Sequence, residues 1–419
     1  MKKHAKLFLL FLLLSTIKIY SQGEGALPFT TLQQSPLLLG AGQIGAAIPS
    51  DDVIGFYYNP AILGYTSLNN HASIYFMPNN TNLAPPVEYV TINNYGLGLG
   101  YNLKTTKLDL PISLGLGYIH NKIDYGRYPI YTNQEPVIVE ETESYDLFDC
   151  FSLGIGIDYY IKFNLGISLK SFESQLGGRF VDGAVQKYLA DGTMLDYGAL
   201  LIFPISDLLL KNVKFEIDNS NKISPITNFS IGYSLTNVGD EIFYVDEAQK
   251  DPLSRTARLG YTFDLGFDLE LKEAKINLIN YSFTAEANDI LIESRDELHP
   301  NLAYQSGLGD NNISDDLISL KSNNKIVLHR GHIFRFLDTF ILTSGSFVGR
   351  GYSEPRETNG LGFTTKGIFK LINSSSDNCT IKYITNHFVI EYFKANLDYI
   401  ENNQINFDGL SIHFVGFEI

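Results

Sequence analysis

Gly40-Ala-Gly-Gln-Ile-Gly45 has the G-x-G-x-x-G spacing that, between a strand and a helix, cradles a dinucleotide pyrophosphate. Its surroundings argue against that chemistry. Pro49 would break the following helix after about one turn. The next acids, Asp51 and Asp52, fall far short of the ~20-residue offset at which a ribose-binding carboxylate belongs. His329 and His332 form H-x-x-H, but on a strand that spacing sends the two rings to opposite faces. Cys150 and Cys379 are far apart in sequence and lack metal-ligand spacing, so they read as independent thiols. The acidic stretches around Glu140-Glu141 and Asp315-Asp316 do not follow an EF-hand order and read as solvated loop charge. No motif singles out a catalytic triad. The chain is therefore expected to be non-enzymatic, with no cofactor or metal.

The elements that carry these residues are more informative than the residues. Ile112-Ser-Leu-Gly-Leu-Gly-Tyr118, Phe151-Ser-Leu-Gly-Ile-Gly-Ile-Asp-Tyr159 and Phe163-Asn-Leu-Gly-Ile-Ser-Leu-Lys170 alternate large apolar residues with small or polar ones. Period two marks a β-strand with one apolar face. The second face is Gly, Ser and Asn, where a soluble half-buried strand would show Lys, Glu or Thr. Apolar outside, small or polar inside and Tyr at the ends is the pattern of a transmembrane barrel strand.

The N-terminus fits export. Lys2, Lys3, His4 and Lys6 precede the apolar run Leu7–Leu14, and a more polar stretch ends at Ser21. This reads as a cleaved signal peptide over residues 1–21. Lys18 interrupts the run before the ~20 residues that a membrane-anchoring helix needs. Removing this segment, which holds four Lys and no acid, takes the formal charge from −15 to about −19. Such acidity argues against a nucleic-acid partner. Only 18% of residues are charged, with 36 Gly, 26 Tyr, 28 Phe and no Trp; this suits a lipid-facing sheet and also a soluble secreted β-sandwich. A chain without a helical span can still cross a membrane if its strands close, because closure satisfies every backbone group.

The expected fold is all-β: a transmembrane antiparallel β-barrel of about 14 strands with an N-terminal luminal hatch. Residues 22–66 form the hatch and 67–419 the barrel. Fifteen strand-like runs are read from 71 onward, beginning with 71–77, 86–93 and 95–104 and ending with 358–369, 380–394 and 409–419. One of them is surplus, since single-chain bacterial barrels have even strand numbers. Residues 122–146 and 288–324 are expected to be long polar loops, and 172–192 to hold a short helix. The hatch lacks sustained alternation, and its Gly and Ala allow tight packing in a crowded lumen. Gly40, Gly42, Gly45, Asn59, Pro60 and Ala61 are its candidate structural residues. The alternative is that this segment is the barrel's first strand and turn.

Residues 38–65 run from Leu-Leu-Gly-Ala-Gly through Asp51-Asp52 to Asn59-Pro60-Ala61-Ile62-Leu63. This resembles the N-terminal motif of the PorV/PorQ-like outer-membrane proteins, relatives of the FadL-type transporters, with Ile62 where that family usually has Gly. Asp196-Tyr-Gly-Ala-Leu-Leu201, Ile231–Tyr244 and Pro252-Leu-Ser-Arg-Thr-Ala-Arg-Leu-Gly-Tyr261 resemble later family segments in order, with Ser254 replacing a second Pro. The resemblance spans residues 38–261 and thins after about 320. It implies a 14-stranded barrel with a hatch in the outer membrane, in contact with outer-membrane lipid. It further implies type IX protein secretion as a cargo-accepting shuttle, with a SprA-like translocon and secreted cargo domains as partners. The alternative it implies is a FadL-like channel for a hydrophobic ligand.

Overall fold

Outward-facing residues in successive strands are large and apolar, and together they make a continuous band. Leu97 and Leu99, Leu114 and Leu116, and Leu153 and Ile155 are all exposed. The alternating residues turn inward and are buried or small. In the computed structural model this sheet closes on itself. The structure describes residues 25–417 except 86–89, 108, 133–136, 212, 219–220, 272–273, 295–301, 306–312 and 399–402. The expected signal peptide lies outside the described residues.

Among the described residues fourteen strands form the barrel. They are β1 (His71–Phe76), β2 (Thr91–Asn102), β3 (Ile112–Tyr131), β4 (Ile138–Asp158), β5 (Lys162–Val181), β6 (Ala184–Phe203) and β7 (Lys222–Val238). The circuit continues with β8 (Thr256–Glu270), β9 (Lys275–Ile290), β10 (Ile326–Phe336), β11 (Phe340–Gly349), β12 (Tyr352–Thr364), β13 (Phe388–Asp398) and β14 (Gln404–Val415). Each pairs antiparallel with the next, and β1 pairs with both β2 and β14, so the circuit leaves no open edge. No helix among the described residues is long and apolar enough to cross a membrane; the crossing is made by strands.

The two rims differ. One, the terminal rim, holds the start of β1 and the end of β14. At the opposite rim β3–β6 overhang. These strands are 20 or 21 residues long, about twice the ~9–11 that a bilayer requires.

Among the described residues six α-helices lie between strands or before them: α1 (Pro36–Gly40), α2 (Ile62–Thr66), α3 (Ile205–Leu209), α4 (Ile313–Ser319), α5 (Lys366–Ser375) and α6 (Cys379–His387). Several sequence expectations are corrected here. The helix expected in 172–192 is instead the β5–β6 hairpin, which turns at Asp182 and Gly183, both at positive φ. The polar stretch 122–146 is mostly the overhang of β3 and β4. The expected strand 380–394 is α6 followed by β13, and 358–369 ends in α5. Of the expected strand 86–93, residues 86–89 lie outside the described residues, and its end from Thr91 belongs to β2.

Candidate functional site

The lumen is filled by the chain's own N-terminal segment. Ala26 bridges to Leu253 near the overhanging rim, and Asn70 meets Asn102 and Phe417 at the terminal rim. Between these ends the segment is tied together by its own hydrogen bonds. Ser35 caps α1, accepting the Leu38 N–H, and its hydroxyl donates to the buried Asp52 carboxylate. Asp52 also accepts the Ile54 N–H at 3.0 Å.

The barrel's small inward residues are explained by this filling. A Cβ at Gly166 would overlap the Pro60 backbone, one at Gly232 the Ala46 carbonyl, and one at Gly345 the Gly42 backbone. The wall therefore carries glycine where the inner chain touches it backbone to backbone.

The six residues singled out in the sequence are all buried, but they do not form one compact site. They are anchor points around the wall. Gly40 and Gly42 meet β12: Thr358 Oγ1 donates to the Gly40 carbonyl (3.0 Å) and accepts the Gly42 N–H (2.8 Å). Gly42 sits at φ +92°, a conformation that suits glycine. Its carbonyl lies 2.7 Å from His329 Nδ1, which must therefore carry the proton. Gly45 and Ala46 both donate their N–H groups to Glu286 Oε2 on β9, at 2.8 and 2.7 Å. Asn59 reaches β6, its Nδ2 donating to the carbonyls of Ala199 (3.1 Å) and Ala46 (2.5 Å). Its Oδ1 accepts the Ala61 N–H at 3.0 Å, and Pro60 presses on Gly166. The G-x-G-x-x-G spacing thus serves contact with the wall: α1 ends at Gly40, and residues 46–50, directly after Gly45, are not helical.

Two buried cations of the wall, not singled out in the sequence, cap adjacent rings of the inner chain. Lys170 Nζ stands 4.5 Å over the Tyr57 ring and 2.8 Å from Asp196 Oδ2. Arg258 stands 3.9 Å over the Tyr58 ring and 4.0 Å from Glu286. Each aromatic face meets a desolvated, paired cation, an arrangement in which a cation–π contact is strongest.

The interior mixes apolar clusters with buried polar groups, among them Asp146, Ser174 and Gln175 on the overhang side. Toward the overhanging rim, Leu27 and Phe29 belong to one buried apolar cluster with Ile123, Phe148, Phe172 and Met194 of the wall. Phe29 and Tyr57 both stack on Phe148, at 5.8 and 5.7 Å. Toward the terminal rim lie cavities of about 380 and 440 Å³ that share Asp51, Lys366 and Glu391. Lys366 and Asp51 are 3.6 Å apart, and the Asp51 carboxylate holds the Lys366 ammonium above its ordinary range. His413 and Glu391 are 3.3 Å apart.

Elsewhere, His329 faces inward while His332 points outward, within 2.8 Å of the Tyr281 hydroxyl. Cys150 is buried on β4, Cys379 is exposed on α6, and both are free thiols.

No protein-family model matches the chain, and no curated protein matches it. Solved structures do align. A Pseudomonas putida toluene transporter, TodX, is 10% identical and aligns over 92% of this chain and 98% of its own, with a TM-score of 0.39. A Pseudomonas aeruginosa FadL homologue is 8% identical over 92% and 98%, with a TM-score of 0.36. CdiB from Acinetobacter baumannii is 10% identical over 83% of this chain and 60% of its own, with a TM-score of 0.33.

Proposed function

We propose that this protein is an outer-membrane channel for hydrophobic small molecules, closed at rest by its own N-terminal segment acting as a hatch. The observation that supports this most is an apolar cluster inside the lumen, beneath the overhang, where the N-terminal segment meets the wall. A water-filled pore is lined by polar side chains. Here the inward residues of β3–β6 include Ile123, Phe148, Phe172 and Met194, covered by Leu27 and Phe29. Displacing those two residues would uncover this apolar cluster, which lies between Asp146 and Ser174 on the overhang side and the Lys170–Asp196 pair below. The overhang then faces the exterior and the terminal rim the periplasm. Buried hydrogen bonds to Glu286, Thr358 and His329, and from Asn59 to the Ala199 carbonyl, hold the hatch in register until it moves.

The test is accumulation of an apolar probe by cells whose outer membrane resists such compounds. Cells expressing the protein should accumulate the probe faster than cells carrying an empty vector, with saturation. Equal rates would refute the channel reading.

A second reading, acceptance of secreted cargo from a SprA-like translocon, is favoured by the overhang of β3–β6 and by the sequence resemblance. The overhang lifts exposed Tyr128, Tyr131, Val137 and Ile138 beyond the bilayer. Recovery of a translocon or cargo domains with the barrel in mild detergent would support it.

A further inference from the structure

We infer that the α5–α6 hairpin is an interfacial lipid-binding element, laid into the phospholipid leaflet at the terminal rim. The inference rests on the transmembrane barrel and not on which solute or partner it serves. The hairpin joins β12 to β13. Ile368, Leu371 and Ile372 of α5 are exposed at i, i+3 and i+4, so they share one face. On α6, Ile381 and Ile384 are exposed at i and i+3. Two short helices that both turn apolar faces to the outside need an apolar medium to cover them.

Two observations identify that medium. The first is continuity with the lipid-facing wall. α6 ends on the outer face: the His387 ring lies 5.6 Å from Phe414, and Phe388 lies 5.3 Å from the same ring. Phe414 alternates with the inward, buried His413 and so points outward. α5 is tied to the β10–β11 turn, where Gly367 N–H donates to the Asp338 carbonyl (2.9 Å) and Lys370 pairs with the Asp338 carboxylate (2.6 Å). That turn leads directly into outward-facing Phe340, which packs on Phe363. The second is charge. Between Thr365 and Phe388 the chain carries Lys366, Lys370 and Lys382 against the single acid Asp377; Lys366 pairs with Asp51 and Lys370 with Asp338, which leaves Lys382 to meet headgroups. An apolar face flanked by lysines is the pattern of a helix lying in an anionic headgroup layer.

The chain has no Trp, so single Trp substitutions report without background. Leu371→Trp and Ile384→Trp place the reporter on the apolar faces. Asn386→Trp places it on α6 roughly opposite Ile384. Each full-length protein is reconstituted in phosphatidylcholine–phosphatidylglycerol vesicles with acyl-brominated lipid. The expected result is blue-shifted emission for Leu371→Trp and Ile384→Trp, quenched at least about twofold more than Asn386→Trp. Should one apolar-face variant fail to fold, as read by heat-dependent gel mobility, the other on the second helix decides. Emission and quenching equal to those of Asn386→Trp would overturn the inference. So would unquenched emission accompanied by cross-linking between copies, which would assign the face to a protein partner.

Discussion

Asn59 occupies the space that a side chain at Gly198 would need: a Cβ added there would overlap Asn59 Oδ1. The same amide donates to the carbonyl of Ala199, one residue along β6. One wall position is therefore small because one inner residue is polar and must reach the wall's backbone. An unpaired buried amide would cost ~1–3 kcal/mol, so the glycine and the asparagine act as a unit.

Gly198→Leu should push the inner chain off β6. Overpacking of a tight interior costs ~1–3 kcal/mol, and here the segment can yield by moving, since it is not one of the strands of the barrel circuit. Planar-bilayer recordings should show higher conductance than wild type, with the barrel still heat-modifiable on gels. Ala199→Leu alternates onto the lipid side and should leave conductance unchanged. If both variants behave alike, the close contact seen at Gly198 does not hold the segment.

Glu286 is the wall residue with most to lose. It accepts two consecutive N–H groups and lies beside a cation with almost no exposure to solvent. Glu286→Gln keeps the shape but strands Arg258, and breaking one side of a buried pair costs ~3–5 kcal/mol. The denaturant midpoint should fall and conductance should rise. Adding Arg258→Met removes the stranded charge and should restore part of the midpoint. A double variant less stable than Glu286→Gln would show that the charge pair is not the source of the loss.

Leu165 and Ile167 are exposed on β5, whereas the intervening Gly166 lies against Pro60. Arg at 165 or 167 should cost ~2–4 kcal/mol if it sits near the bilayer midplane. Gly166→Arg should act differently, by displacing the inner chain. Unfolding from lipid vesicles measures the first effect, and bilayer conductance the second. Conductance raised equally at all three positions would contradict the alternation.

The lipid-facing half of this fold was legible because the bilayer imposes it. Strands such as Phe163–Lys170 must alternate wherever they cross, and they do. Where strands leave the bilayer that demand lapses, so the overhang of β5 and β6 around Gly177-Gly178 reads in the sequence as a connection with a short helix. The α5–α6 hairpin was misread for a different reason. Its Ile residues favour strands locally, and only the 368/371/372 spacing marked a helix. The glycine-rich segment stood out by composition. Its anchors Glu286, Thr358 and Lys170 did not, because each lies more than a hundred residues away in sequence. The available signal was parity: a charge at an inward position of an otherwise apolar-and-small strand, as at Lys170, Asp196, Arg258 and Glu286.

The most direct test of a moving hatch is to stop it moving. A Cβ at Gly260 on β8 would stand 3.2 Å from the Ala47 Cβ, close to the ~3.5–4.5 Å of a disulfide. Ala47→Cys with Gly260→Cys, in a background carrying Cys150→Ser and Cys379→Ser, should form that bond under oxidising conditions. The fixed point lies beside Ala46, whose N–H meets Glu286 and whose carbonyl meets Asn59, so it clamps the centre of the segment. If solute passes only when the segment shifts, oxidised protein should accumulate the apolar probe no faster than the empty-vector control, and reduction should restore the wild-type rate. Each single-cysteine variant should be indifferent to the reductant. A cross-linked protein that still accumulates the probe at the wild-type rate would show that the solute bypasses the segment, and the hatch mechanism would fall while the barrel fold stood.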